Sequence, residues 1–297
     1  MKKSVSLLLA GLMLCGVLAG CGGNDAYGAG EGGAADSASA GMSGTITVIS
    51  REDGSGTRSA FVELTGVEDD NGDNTTVDAE IANKTDVVLT SVAGNESAIG
   101  YVSLGSLNDT VKAIQVDGVD ATVESVKSGD YTLSRPFNIA TKGEPTGVAG
   151  DFIRFILSAD GQAIVEEEGY IKVNDAAEAF TTDGSEGQIA VGGSSSVSPV
   201  MEKLIEAYQA VNPKAKIELQ TSDSTSGMTG AMDGTFAIGM ASRELKDEEK
   251  AELTGTAIAL DGIAVVVNPA SSIDGLTMDQ IRSIYTGETT DWADVAA

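Results

Sequence analysis

No histidine occurs anywhere in the 297 residues. That absence removes the commonest general base, the Ser-His-Asp and Cys-His nucleophile systems and most zinc sites, so an ordinary hydrolase is not expected. Cysteine is nearly absent: Cys15 and Cys21 are the only two, both near the N-terminus. No thiol remains downstream for a disulfide, a metal or redox chemistry. Basic residues are scarce, 18 Lys and Arg against 45 Asp and Glu, and the formal charge is −27. So acidic a surface repels DNA, RNA and anionic lipid at long range, which argues against a nucleic-acid partner. What is present is a globular composition, 41% hydrophobic and 21% charged. The length suits about two domains of ~150 residues each.

Lys2 and Lys3 precede the apolar run Leu7–Gly20, which at 14 residues is short of the roughly 20 a membrane-spanning helix needs. This is the layout of a signal peptide, assigned to residues 1–20. The run ends Leu18-Ala19-Gly20-Cys21 and resembles the lipobox at which bacterial lipoproteins are cut and lipidated, so Cys21 is the expected lipidation site. Cys15 would leave with the signal. Residues 22–44 are mostly Gly, Ala and Ser with little to bury. Residues 21–44 are therefore expected to be a lipidated flexible tether, reaching about 25 Å in root-mean-square terms. The expected location is extracytoplasmic, on the outer face of the cell membrane, with contact to the membrane through the lipid anchor only.

From Thr45 onward short β-branched runs alternate with amphipathic segments, the pattern of an α/β protein with largely parallel sheets. Strands are predicted at Ile46–Ile49, Ala98–Val102, Lys112–Val116, Phe137–Ala140, Ile189–Val191, Lys216–Leu219, Phe236–Gly239 and Ala257–Val267. In Ser198–Val211, Met201, Leu204, Ile205 and Tyr208 recur at helical spacing. Phe152, Phe155, Ile156 and Ile164 predict a second helix, and Ile281, Ile284 and Tyr285 a third. The polar stretch Thr182–Gly187 reads as a linker or a long loop.

Three loops rich in Ser, Thr and Gly lie between a predicted strand and a predicted helix: Ser50–Thr57, Gly192–Val197 and Thr221–Gly227. A helix start offers unpaired N–H groups and about half a positive charge, so hydroxyls and glycine there suit an oxyanion. For any single loop, a serine capping its own helix is the simpler explanation. Arg51 is the one full positive charge in the three loops, and its fork matches two oxygens of a tetrahedral anion. Asp53 is placed to clamp it, though an exposed ion pair explains the two residues equally well. No G-x-x-x-x-G-K-[ST] motif occurs, which argues against a nucleotide P-loop.

These stretches resemble the phosphate-binding proteins of bacterial phosphate ABC importers, the PstS family. The resemblance rests on SREDGSGTRSAF (Ser50–Phe61), AIGYVSLG (Ala98–Gly105), VGGSSSVSPVMEKLIEAY (Val191–Tyr208), IGMASRELKDEE (Ile238–Glu249), ALDGIAVVVN (Ala259–Asn268) and YTGETTDW (Tyr285–Trp292). The usual order of these stretches is rearranged, as in a circular permutation with the old ends joined through Val173–Gly187. The resemblance implies a two-lobed periplasmic-binding-protein-like fold of type II, with a ligand cleft between lobes and two crossing strands near Tyr131–Pro136 and Asn268–Ile273. One lobe is expected to hold 45–134 with 269–297, the other 135–268.

The family's phosphate-binding residues carry over to Arg51, Ser55, Gly56, Thr57, Ser196, Val197 and Ser224, with Asp53 and Ser195 in support. Where some relatives place an aspartate that accepts the proton of phosphate, this chain reads Ser242-Arg243, and both are candidate site residues. Arg243 would add a second positive charge, with Asp53, Asp223 or Asp261 supplying the acceptor in place of that aspartate. The implied function is capture of inorganic phosphate and delivery to a membrane permease, without catalysis, cofactor or metal, by a monomer. Two alternatives stay open at this point: an adhesion or sensory lipoprotein that keeps the fold, and a binder of another tetrahedral oxyanion such as sulfate.

Overall fold

The computed structural model describes residues 43–295. The expected signal peptide, Cys21 and all but the last two residues of the tether lie outside the described residues. Eight strands form the spine: β1 (Thr47–Arg51), β2 (Glu80–Ala82), β3 (Ala98–Ser103), β4 (Ser134–Thr141), β5 (Gly187–Ser194), β6 (Ala215–Ser222), β7 (Ile238–Ala241) and β8 (Thr254–Val267). They lie in the order β6-β5-β7-β4-β8-β3-β1-β2 within a ten-stranded sheet.

The outer triplets, β6-β5-β7 and β3-β1-β2, are parallel. Between them β4 and β8 run antiparallel to each other and to their neighbours. The predicted parallel sheet therefore holds in two blocks and fails in the middle. A near-continuous apolar run reports burial on both faces but not strand direction. β8 serves both blocks: Thr254–Gly262 pairs with β4, and Ile263–Val267 pairs with β3. Its change of partner precedes Asn268–Ile273, where a crossing was expected, because the apolar run needs no break to pass from one partner to the next. The other crossing falls within Tyr131–Pro136 as predicted, where the Ile263 N–H donates to the Leu133 carbonyl at 2.7 Å.

Among the described residues, seven helices of nine or more residues flank the sheet: α1 (Gly56–Thr65), α2 (Thr85–Ala93), α3 (Gly147–Leu157), α4 (Ala159–Glu167), α5 (Ser198–Val211), α6 (Ser224–Asp233) and α7 (Met278–Thr286). The α5 stripe of Met201, Leu204, Ile205 and Tyr208 is buried against Phe152, Phe155 and Ile156 of α3. The single helix predicted through Phe152 and Ile164 is two, α3 and α4. Ser158 breaks it by donating its hydroxyl to the Phe155 carbonyl and accepting from the Gly161 N–H.

In the β1 block Phe61 of α1 stacks on Tyr101 of β3, with ring centroids 3.9 Å apart. In the β5 block α6 lies directly on the strands: a Cβ at Gly227 would sit 2.7 Å from both the Gly193 Cα and the Met240 carbonyl oxygen. The first and last described segments are neighbours. Thr45 bridges Asp291, and the Trp292 N–H donates to the Gly44 carbonyl. A permuted order requires adjacent ends of this kind. Among the described residues no helix is long and apolar enough to cross a membrane.

Candidate functional site

β1, β5 and β6 each run out at their carboxyl ends into the loops that start α1, α5 and α6, the place where open α/β sheets hold ligands. Arg51 closes β1 and is 2% exposed. Both oxygens of Glu52 hold it, accepting from Nε and Nη2 at 2.8 Å. Nη2 also donates to Ser195 Oγ at 3.0 Å and Nη1 to Thr85 Oγ1 at 3.5 Å, so the guanidinium spans residues of both blocks.

Asp53 does not clamp Arg51. It stands in solvent and accepts from Arg58 Nη1 at 3.0 Å. The turn at Asp53-Gly54, with Gly54 at φ 87°, swings Asp53 off the strand line, and Glu52 is left beside the arginine.

Ser55 caps α1, its hydroxyl accepting the Arg58 N–H at 3.3 Å. Gly56 is where the blocks meet: a Cβ there would lie within 3.1 Å of Ser224 Oγ, Ser242 Oγ and Arg243 Cγ. Any side chain at this position would push the loops apart. Thr57 Oγ1 lies 2.8 Å from Ser196 Oγ, which is 3.3 Å from Thr85 Oγ1. Ser194 Oγ donates to Ser242 Oγ at 2.9 Å, and the Ser242 N–H donates to Ser224 Oγ at 3.1 Å. Val197 precedes α5 without capping it by a side chain, and its N–H donates to the Ser194 carbonyl.

Arg243 is buried and paired with a carboxylate six residues on. Glu249 takes Nη1 and Nη2 at 2.8 Å each. Of the three proton acceptors weighed from the sequence, Asp53 is engaged by Arg58, Asp223 caps α6 by accepting the Ser226 N–H at 2.8 Å, and Asp261 belongs to another pair. That pair lies at the crossover, where Arg135 Nη2 donates to Asp261 Oδ2 at 3.1 Å and Ser103 Oγ to Oδ1 at 2.9 Å. Burial pushes the Asp261 carboxyl up to about 6, against the opposing pull of Arg135 and Ser103.

The structure thus joins Arg51 with Thr85 and Ser195, Thr57 with Ser196, and Gly56 with Ser224, Ser242 and Arg243, while Ser55 and Val197 bond within their own loops and Asp53 faces solvent. Sequence reasoning misses Glu52, Thr85, Ser194 and Glu249. Glu52 and Ser194 lie inside the quoted loops, but nothing in their local sequence singles them out from their neighbours. Thr85 opens a helix with no loop motif, and Glu249 reaches Arg243 only through the fold. A cavity of about 420 Å³ opens beside this cluster, walled by Thr85, Ser106, Ser195 and Ser198 among others. Chemically the cluster is rich in hydroxyls, helix-start N–H groups and two paired arginines, a set suited to holding an oxyanion.

A family profile described as a PBP superfamily domain matches residues 30–160 and 178–297. Phosphate-binding protein PstS 2 of Streptococcus agalactiae serotype V is 49% identical over 302 residues, covering 99% of this chain and 98% of that one. Its namesake in Streptococcus pneumoniae serotype 4 is 44% identical over 295 residues, with 98% of each chain covered. The segment order found here is therefore shared with these relatives end to end. The crystal structure of a phosphate-binding protein of a phosphate ABC transporter from Streptococcus pneumoniae TIGR4 superposes with a TM-score of 0.70 at 45% identity, covering 85% of this chain and all of that one. Its fold is the periplasmic-binding-protein-like type II arrangement that the paired parallel blocks and shared central strands describe. The chain belongs to the PstS family.

Proposed function

We infer that the protein is an extracytoplasmic solute-binding protein that captures inorganic phosphate and delivers it to an ABC permease, with no chemical turnover. The observation that carries the binding mode is the meeting of Gly56 with Ser224, Ser242 and Arg243, together with the Thr57–Ser196 contact. Donors from both blocks meet there, as they do where Arg51 reaches Ser195. Arg51 supplies charge, Ser55, Gly56 and Thr57 supply the start of α1, Ser195, Ser196 and Val197 the start of α5, and Ser224, Ser242 and Arg243 the remaining wall.

The two lobes proposed are 45–134 with 269–297, and 135–268, with Ile263–Val267 of β8 paired into the first. They separate to admit phosphate and close over it about the crossover strands. Lipidation at Cys21 and residues 22–44 tether a monomer to the outer face of the membrane; replacing Cys21 by Ala should release the protein into the medium.

Isothermal titration with phosphate tests the function. Binding at micromolar affinity or tighter, about −8 kcal/mol or better, is expected. A flat titration by folded protein would overturn it.

A further inference from the structure

Building on the phosphate site proposed above, we propose that Tyr101 is a positioning residue for phosphate binding: its hydroxyl holds the main chain of Arg51 and so sets where that guanidinium meets the ligand.

Strand β1 changes neighbour along its length. Thr47 and Val48 pair with β3 on one side, whereas Ile49, Ser50 and Arg51 pair with β2 on the other. Successive amides of a strand point to alternate sides. The Thr47 N–H donates toward β3, to the Ser97 carbonyl, and the Glu52 N–H toward β2, to the Ala82 carbonyl. The Arg51 N–H therefore faces β3, beyond the point where that ladder has ended. Tyr101 Oη accepts it there at 3.1 Å and lies 2.9 Å from Ser50 Oγ. A phenol hydroxyl thus takes the place of the missing strand partner.

The ring that carries this hydroxyl is packed in place. Phe61 of α1 stacks on it at 3.9 Å, Tyr285 of α7 lies against it with centroids 5.6 Å apart, and Tyr101 is buried. Burial raises the phenol above its ordinary range, so at neutral pH it keeps its proton.

Arg51 is consequently held at both ends. Tyr101 fixes its main chain, and Glu52 orients its guanidinium through Nε and Nη2. A long side chain amplifies a small turn of its backbone, and a displaced donor loses the angle that its hydrogen bonds need. Tyr101→Phe keeps the ring and removes only the acceptor, leaving a buried amide unpaired unless the end of β1 shifts.

The test is a double-mutant cycle read by phosphate titration calorimetry on the full chain in mild detergent. Tyr101→Phe is expected to weaken phosphate binding by about fivefold or more, the worth of one buried hydrogen bond. In an Arg51→Ala background the same substitution should change affinity by less than about twofold, because the group that the hydroxyl positions is gone. Deuterium exchange of the Arg51 amide should quicken selectively in Tyr101→Phe. Thermal melting of each unliganded variant controls for folding. Ser50→Ala removes the hydroxyl's second contact, leaves the aromatic packing alone and decides the matter if Tyr101→Phe does not fold. It should weaken binding by about twofold or more, an effect again lost without Arg51, and unchanged affinity would count against the proposal in the same way. A folded Tyr101→Phe protein with full affinity would overturn the proposal. Equal losses with and without Arg51 would overturn it too, because the effect would then lie in the packing of α1. Failure of wild type to bind phosphate, or full affinity in Arg51→Ala alone, would instead remove the site on which it rests.

Discussion

In the block built around β1, helix α1 is held off the sheet by aromatic side chains, Phe61 stacked on Tyr101 with Tyr285 edge-on to Phe61. In the block built around β5, helix α6 lies backbone against backbone, with Gly227 over Gly193 and the Met240 carbonyl. Both arrangements bring a helix start to the same point, but by different means. Aromatic packing sets a distance through side chains that can shift slightly, whereas glycine packing sets it through the main chain and leaves no slack. The chemistry divides too: the first block brings Arg51 with Glu52, the second a row of serines and Arg243 with Glu249. Each block thus brings an arginine held by its own glutamate, and hydroxyl contacts join the two where the blocks meet.

Removing the link between the blocks should have the largest effect. Arg135→Met leaves Asp261 buried without its partner at the crossover and should cost about 3–5 kcal/mol at neutral pH by urea unfolding. The loss should shrink in mild acid. In the wild type the folded Asp261 titrates at about 6, above its ordinary 3.8, so the stability it contributes is present below about pH 4 and is lost as pH rises through 6. Without Arg135 that loss at neutral pH deepens, while protonation still relieves it. An equal loss at both pH values would show that the cost is packing and not charge.

The contrast in packing is sharpened by a pair of substitutions. Gly227→Ala, forced against backbone on two sides, should destabilise by about 3 kcal/mol, while Phe61→Leu in the aromatic block should cost less than about 1.5 kcal/mol. Comparable losses from the two would erase the distinction. Arg51→Ala should weaken phosphate binding by at least ~2 kcal/mol with the fold retained, because a charge-assisted contact in a closed cleft is lost; calorimetry reads this directly. The smallest effect belongs to Asp53→Asn. Its carboxylate stands in solvent, so affinity should stay where it is, whereas Glu52→Gln, which loosens Arg51, should weaken binding measurably.

Much of this is legible in the sequence. The α5 stripe, the strand cores and the three hydroxyl-rich loops follow from spacing and residue type, and the resemblance to known phosphate-binding proteins marks Arg51, Thr57, Ser195 and Ser196, which contact one another across the blocks. The choice between Asp53 and Glu52 was not legible, since both lie within reach of Arg51 along the chain and only the turn at Gly54 decides which side chain stays. Glu249 was invisible for a related reason: six residues separate it from Arg243, and the intervening chain must fold back before the two meet. The antiparallel middle of the sheet escaped because a fully buried strand carries no mark of its direction.

By itself, the order of residues determined where strands end and helices begin, because those boundaries depend on interactions a few positions apart. Only the tertiary structure decided which of those ends face one another. The Thr57–Ser196 contact joins positions 139 residues apart, and nothing in the local spacing around either residue specifies the other. Such pairs are set by how whole blocks pack, by glycine against backbone on one side and aromatic rings on the other, and so they exist only once the chain has folded.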